Sequence, residues 1–208
     1  PSAIAARARS NAKIIAVTGS AGKTTTKEAL RHVLSAVGKV HASAQSFNNH
    51  WGVPLTLARM PDDCDYAVFE IGMNHPGETA LLGKIAEPTV AVVNNAQREH
   101  QEFMHTVEAV ARENGAVLQA LPADGVAVFP GDDEYTDLWR GLAGGRKVLT
   151  FGLADTCDVR ATYTVTEFGS ELAFTAGVEH FAIKLAAAGV HNVRNALAAT
   201  ACALAAGI

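Results

Sequence analysis

Short, unbroken apolar runs alternate with stretches whose apolar residues recur every three or four positions, and this alternation fills most of the chain. Ile14-Ile15-Ala16-Val17, Tyr66-Ala67-Val68-Phe69 and Thr89-Val90-Ala91-Val92-Val93 are of the first kind. Each stops at a polar or glycine-bearing tip: Thr18-Gly19, Glu70 and Asn94-Asn95. Runs this short and apolar at nearly every position suit strands buried on both faces. Between the first two, Leu30, Val33, Leu34 and Val37 recur at helical spacing, with Gly38 as a stop. A second helix is predicted from about Gly77 to Ile85, ending before Pro88. A third has Thr106 as N-cap, carries Val107, Val110, Val117, Leu118 and Leu121, and is stopped by Pro122.

Gly125 to Phe129 and Lys147 to Phe151 read as two further strands flanking a helical stretch near Tyr135 to Leu142. From Asp158 to Leu185 the texture changes to alternating runs such as Thr162-Tyr163-Thr164-Val165 and Leu172-Ala173-Phe174, with Gly169 and Gly177 between runs. That pattern predicts antiparallel hairpins at a sheet edge. The last element, His191 to Ala206, is a helix dense in alanine. Strands alternating with helices imply an α/β fold of the P-loop type: a mostly parallel sheet with helices on both faces and an antiparallel edge hairpin region.

The totals agree with one substantial core: 208 residues, 49% hydrophobic and 18% charged, with a net charge of -4. Lys and Arg are scattered, so no nucleic-acid partner is expected. Cys64, Cys157 and Cys202 follow no metal-ligand spacing and suit a reduced, cytoplasmic protein. No apolar stretch approaches the ~18 residues of a membrane span. The start, Pro1-Ser2-Ala3-Ile4, and the Ala-rich end both read as cuts within a longer protein.

The chemistry concentrates after the first strand. Thr18-Gly19-Ser20-Ala21-Gly22-Lys23-Thr24-Thr25 joins that strand to a helix and fits the phosphate-loop pattern GxxxxGK(S/T), except that Val17 occupies the first glycine position. Gly19 and Gly22 let successive N–H groups turn toward an anion, and the helix N-terminus adds positive dipole. Lys23 can reach outer phosphates, and the Thr24 hydroxyl can ligate Mg²⁺. A tight turn with a solvated lysine is the plainer alternative, but three threonines at a helix start are a poor choice for stability alone. In open α/β sheets ligands bind at the carboxyl ends of strands. Glu70, Asn94-Asn95, the stretch from Gln97 to His100, and Pro130-Gly131-Asp132-Asp133 fall there. Glu70 and His100, arriving from adjacent strands, could hold a metal near the phosphates; singly, each also reads as a strand-end carboxylate in water or a hydrogen-bonded loop histidine.

The residues now on the page resemble a known family. TGSAGKTTTKE (Thr18 to Glu28), SFNNHWGVPLTL (Ser46 to Leu57), EIGMNHPGE (Glu70 to Glu78), VVNNAQREHQE (Val92 to Glu102) and GVHNVRNALAA (Gly189 to Ala199) are similar to segments of the Mur ligases, in the same order. These are ATP-dependent enzymes that extend the peptide stem of peptidoglycan precursors. The triple threonine with Lys-Glu, the FNN segment and the NHPGE segment look most like the member joining D-alanyl-D-alanine to UDP-N-acetylmuramoyl-tripeptide. The resemblance implies a central ATPase domain between an N-terminal UDP-sugar domain and a C-terminal Rossmann-like domain. It implies ATP and Mg²⁺ as cofactors, an acyl-phosphate intermediate, and a fragment that does not ligate alone. Other cell-wall enzymes are possible partners.

Carried over by position, Gly19, Ser20, Ala21, Gly22, Lys23, Thr24 and Thr25 would take the phosphates, and Thr24 with Glu70 one Mg²⁺. His100 would help to hold a second Mg²⁺ beside the substrate carboxylate. His191, Asn192 and Asn195 would approach the adenine, while Asn48, Asn49, Asn74 and His75 would line the substrate cleft. Without the family, Asn192 reads as a helix cap, Asn48-Asn49 as a turn, and His75-Pro76-Gly77 as a turn entering a helix. Many Mur ligases carry a carbamylated lysine where Asn114 stands in this chain. A neutral amide cannot become a carbamate, so either Glu113 or Glu102 contributes to the second metal or the alignment slips by a residue. Another Mur-type ligase acting at a different stem-peptide step, on folate or on polyamino acids, and a non-catalytic ATP-binding assembly module, are the competing readings.

Overall fold

The computed structural model describes residues 2–44, 47–98 and 104–208. The first apolar run is strand β1 (Lys13–Thr18), and the glycine turn leads into helix α2 (Lys23–Ser35), after a short N-terminal helix α1 (Ala3–Arg9). Then come β2 (Val40–Ala42), α3 (Gly52–Ala58), β3 (Tyr66–Glu70), α4 (Glu78–Ala86), β4 (Val90–Val93) and α5 (Val107–Gly115). A 3₁₀ turn (Ala116–Ala120) precedes β5 (Val126–Pro130), α6 (Thr136–Ala143) and β6 (Lys147–Gly152). The chain closes with β7 (Val159–Thr166), β8 (Gly169–Ala176), β9 (Glu179–Leu185) and α7 (Val190–Ala205).

The strands form one sheet in the order β2-β3-β1-β4-β5-β6-β7-β8-β9. Pairing is parallel from β2 to β7 and antiparallel from β7 through β9, as the change of texture after Asp158 predicts. The period-two geometry of a strand divides each apolar run between two cores. Ile14 and Ala16 of β1 pack with Val53, Leu57, Leu82, Val117 and Trp139 on one face. Ile15 and Val17 pack with Leu30, Leu34, Val193 and Leu197 on the other. Thus α2 and α7 cover one side, and the remaining helices the other. Register places Val17 beside Glu70 and Thr18 beside Val93, so the polar tips of β1, β3 and β4 share one edge.

Three elements escaped the pattern reading: α1, β2 and α3. The first and last are helices of seven residues, about two turns each, and β2 has only three, too few for either periodicity to register. Two helices differ from expectation. In α2, Leu30 and Leu34 are buried but Val33 is exposed, because the sheet is met by the face that carries Lys27; Val37, beyond the end of the helix, is exposed as well. The helix after Thr106 narrows to a 3₁₀ turn past Gly115, where a β-carbon would collide with Leu142 and Trp139. Thr106 caps that helix as expected, its hydroxyl accepting from Ala109 N at 3.1 Å. Among the described residues no helix is long and apolar enough to cross a membrane.

Leu197 of α7 is fully buried between the sheet and α2. Leu197→Ala is expected to lower unfolding free energy by about 2–5 kcal/mol. Urea denaturation checks this, and a loss well under ~1 kcal/mol would show that the site collapses around the cavity.

Candidate nucleotide and metal site

The turn after β1 is possible only because two of its residues lack side chains. Gly19 and Gly22 have φ of 133° and 77°, which L side chains rarely adopt. A β-carbon on Gly22 would also collide with Asn195 Oδ1, and one on Gly19 with Asn94. Gly22 is the N-cap of α2 and brings no side-chain cap, so the first N–H groups of the helix are left to the mouth of the loop. The loop is tied from β4: Ala21 N donates to Asn95 Oδ1 at 2.9 Å, and Asn95 Nδ2 and Asn94 Nδ2 both donate to Ala21 O, at 3.0 and 3.1 Å. Asn94 Nδ2 also donates to Asn195 Oδ1 at 3.0 Å, and Asn94 Oδ1 accepts from Thr26 Oγ1 at 3.2 Å. Lys23 Nζ folds back onto Gly19 O at 2.6 Å.

Beside this loop, Glu70 leaves the end of β3 with 2% of its surface exposed. Oε2 accepts from Thr24 Oγ1 and Oε1 from Asn48 Nδ2, both at 2.8 Å. Lys27, one turn beyond Thr24 and fully buried, places Nζ 2.9 Å from Ser43 O and 4.0 Å from Glu70 Oε2. Ser43 Oγ in turn accepts from Glu70 N at 3.2 Å. A buried carboxylate costs free energy unless it is paired and hydrogen-bonded, and Glu70 has both kinds of partner. Lys27 was missed in the sequence, although its signal was there: a lysine on the same stripe as Leu30 and Leu34.

From Gly22 a cleft of about 660 Å³ extends along the strand tips to α7, lined in part by Thr25, Asn95, Asp132, His191 and Asn192. A model of the Mur ligase middle domain matches residues 17–203. The chain belongs to the Mur ligase family. UDP-N-acetylmuramoyl-tripeptide--D-alanyl-D-alanine ligase of Escherichia coli (strain K12) is 37% identical over 198 residues, covering 94% of this chain and 44% of that protein. The Bacillus subtilis (strain 168) protein of the same name is 35% identical over 91% of this chain and 40% of its own length. Among solved structures, MurF from Acinetobacter baumannii superposes with a TM-score of 0.95 at 33% identity, over 99% of this chain and 46% of that one. MurF ligase from Thermotoga maritima, solved in complex with ADP, gives 0.84 at 29% identity, over 97% and 48%. This Mur ligase domain therefore spans less than half the length of these relatives.

The fold of the Mur ligase domain brings some of the candidate residues together and disperses others. Thr24, Glu70 and Asn48 form one hydrogen-bonded cluster, whereas Gly22, Thr25, His191, Asn192 and Asn195 line the cleft. Asn49 has a local task, its Oδ1 accepting from Trp51 N and Gly52 N at the start of α3. The backbone N–H groups of Asn74 and His75 donate to Glu78 Oε2, in the turn that enters α4. Asn192 is not a helix cap: Gly189 holds that position, and Asn192 Nδ2 donates to Ala188 O at 2.8 Å. His100 and Glu102 lie outside the described residues.

Glu113, suggested as a contributor to a second metal site, has backbone partners at the start of α4. Its two carboxylate oxygens accept from Gly77 N and Thr79 N, both at 3.0 Å, and so complement the N-terminus of α4. Asn114 is buried, and its Nδ2 finds no partner among the described residues. Its carbonyl accepts from Thr18 Oγ1 at 3.1 Å.

In the lining of the same cleft, Arg194 Nη1 and Nη2 reach Asp132 Oδ1 and Oδ2 at 2.9 and 3.2 Å. Burial pushes the Asp132 carboxyl up, but the Arg194 guanidinium and the Leu153 and Ala154 N–H groups outweigh it and hold the group below the ordinary carboxylate range. A carboxyl whose pKa is lower folded than unfolded adds stability above its unfolded value of about 3.9, and that stability disappears as pH falls through the folded value. Asp132→Asn is therefore expected to be less stable than the parent at neutral pH, with the gap closing as the solution is acidified below about pH 4. Thermal unfolding across that range is the check; a gap independent of pH would exclude the charged pair as its source.

Proposed function

We propose that this chain is the central ATP-binding domain of a cytoplasmic ligase joining D-alanyl-D-alanine to UDP-N-acetylmuramoyl-tripeptide. An N-terminal UDP-sugar domain and a C-terminal Rossmann-like domain would complete the protein. The observation that carries the reading is the cluster of Thr24, Glu70 and Asn48 at the mouth of the phosphate loop, supported by the relatives' names. Phosphate loops are widespread; a buried carboxylate from the adjacent strand, bonded both to the loop's threonine and to an asparagine of the FNN segment, is a narrower arrangement.

The donor set fits Mg²⁺. Glu70 and Thr24 offer hard oxygen ligands, and Mg²⁺ characteristically takes one or two protein oxygens and completes its shell with phosphates and water. Among the described residues no group of three or more His, Cys, Asp or Glu side chains converges. When bound by Glu70 and Thr24, the ion would neutralise charge as two anions approach. Lys23 would release Gly19 O and turn to the outer phosphates. The loop N–H groups would hold the transferring phosphoryl group, and Asn48 would keep Glu70 aimed at the metal. His100 would stand beside the substrate carboxylate, with Asn49, Asn74 and His75 farther along that cleft. The γ-phosphoryl group passes to the tripeptide carboxylate and ADP leaves. The amine of D-alanyl-D-alanine then adds to the acyl phosphate carbonyl, and inorganic phosphate departs as the amide forms.

In the full-length protein, phosphate release is expected only when ATP, the UDP-muramoyl tripeptide and D-alanyl-D-alanine are all present. Turnover without acceptor, or with glutamate replacing the dipeptide, would point to another member of the family or to an assembly ATPase. Lys23→Ala should reduce turnover by at least about 100-fold with the melting temperature little changed. Ordinary turnover in that variant would sink the assignment of the loop.

A further inference from the structure

A buried cation stands beside the carboxylate that meets the phosphate loop. Lys27 has no exposed surface, and its Nζ lies 4.0 Å from Glu70 Oε2, the oxygen that also accepts from Thr24 Oγ1. Helix α2 places it there: Thr24 and Lys27 are three residues apart, so both side chains leave the same face. Nζ also donates to Ser43 O at 2.9 Å and lies 3.3 Å from Glu28 Oε1. Glu28 is 45% exposed, and its other oxygen accepts from Arg31 Nε at 2.7 Å, so water and a second cation share its charge. Glu70 is the carboxylate buried together with the ammonium.

Hydrogen bonding alone does not call for a charge at this position. Oε2 of Glu70 already accepts from Thr24, Oε1 accepts from Asn48, and the Glu70 N–H is taken by Ser43 Oγ. What Lys27 adds is a positive charge beside an oxygen suited to Mg²⁺. One ammonium and one carboxylate leave this buried space near neutral. A divalent ion entering alone would leave a net of two positive charges with little water to screen them. An ion that arrives with a polyphosphate brings its own compensation. Without the ammonium, Glu70 and Thr24 would form a negative site open to any free divalent ion. We propose that Lys27 makes metal binding at Glu70 and Thr24 conditional on nucleotide: its charge keeps the pair from holding a divalent cation until a polyphosphate enters with it. The proposal rests on the reading of these two residues as Mg²⁺ ligands beside a nucleotide loop.

Mn²⁺, a paramagnetic substitute with the same preference for oxygen ligands, makes the test a binding measurement. Free Mn²⁺ is counted by electron paramagnetic resonance in the full-length protein, with and without ADP. The parent should take up Mn²⁺ with ADP and little without it. Lys27→Met keeps the length of the side chain and loses the charge; without ADP it should bind Mn²⁺ at least about tenfold more tightly than the parent. That gain should vanish when Glu70→Gln is added, and Lys27→Arg, which keeps the charge, should stay near the parent. A lysine serving only as a strut between α2 and Ser43 predicts the reverse, weaker Mn²⁺ uptake in Lys27→Met with and without ADP. Unchanged or weaker uptake without ADP in Lys27→Met overturns the proposal, and so does an equal gain in Lys27→Arg. A parent that binds Mn²⁺ equally well with and without ADP overturns it too, and that result needs no variant to fold. A parent that takes up no Mn²⁺ even with ADP removes the reading of the metal site, and the proposal with it.

Discussion

The side chain of Asn94 occupies the junction on which the site depends. It emerges where β4 ends, and its amide faces three elements at once: the phosphate loop through Ala21 O, helix α2 through Thr26, and helix α7 through Asn195. The residue is 5% exposed, so each of these bonds forms where water does not compete. An amide is suited to the position because it donates and accepts at the same time; a carboxylate or a lysine could do only one. Small rearrangements here would alter the loop, the helix it feeds and the α7 side of the cleft together.

The sheet edge explains why such a junction can exist. Parallel pairing from β2 to β7 brings every polar strand tip to one side, and the two cores on either face prevent any strand from sliding without exposing apolar residues. Glu70 is held where Thr24, Asn48 and Lys27 can meet it because β3 is locked beside β1 in register. Binding residues from distant parts of the sequence are thereby set on rigid supports rather than on one another.

Much of this was legible in the chain. Buried strands declared themselves by continuous apolar runs, and the edge hairpins by alternation, because both patterns report burial directly. The loop was readable because its chemistry is local: glycines, lysine and threonine act within a few residues of one another. What stayed hidden was contact between distant residues. Nothing near Asp132 announces Arg194, and nothing near Glu113 says that it serves the start of α4. Asn49 could be read as a turn or as a substrate residue, and its backbone partners are of the first kind. Lys27 lay between these cases, visible as a charge on an apolar stripe but with its neighbours supplied by the fold.

The bond from Lys23 Nζ to Gly19 O gives the loop a shape of its own before any ligand arrives. The ammonium closes the curl from inside, standing where the charge of a phosphate would otherwise draw it. Phosphate capture at this loop is consequently an exchange of one partner for another, not the folding of a slack segment around an anion. Its conformational entropy was surrendered when the domain folded, so selectivity falls on the contest between a neutral carbonyl and a charged oxygen for the same ammonium.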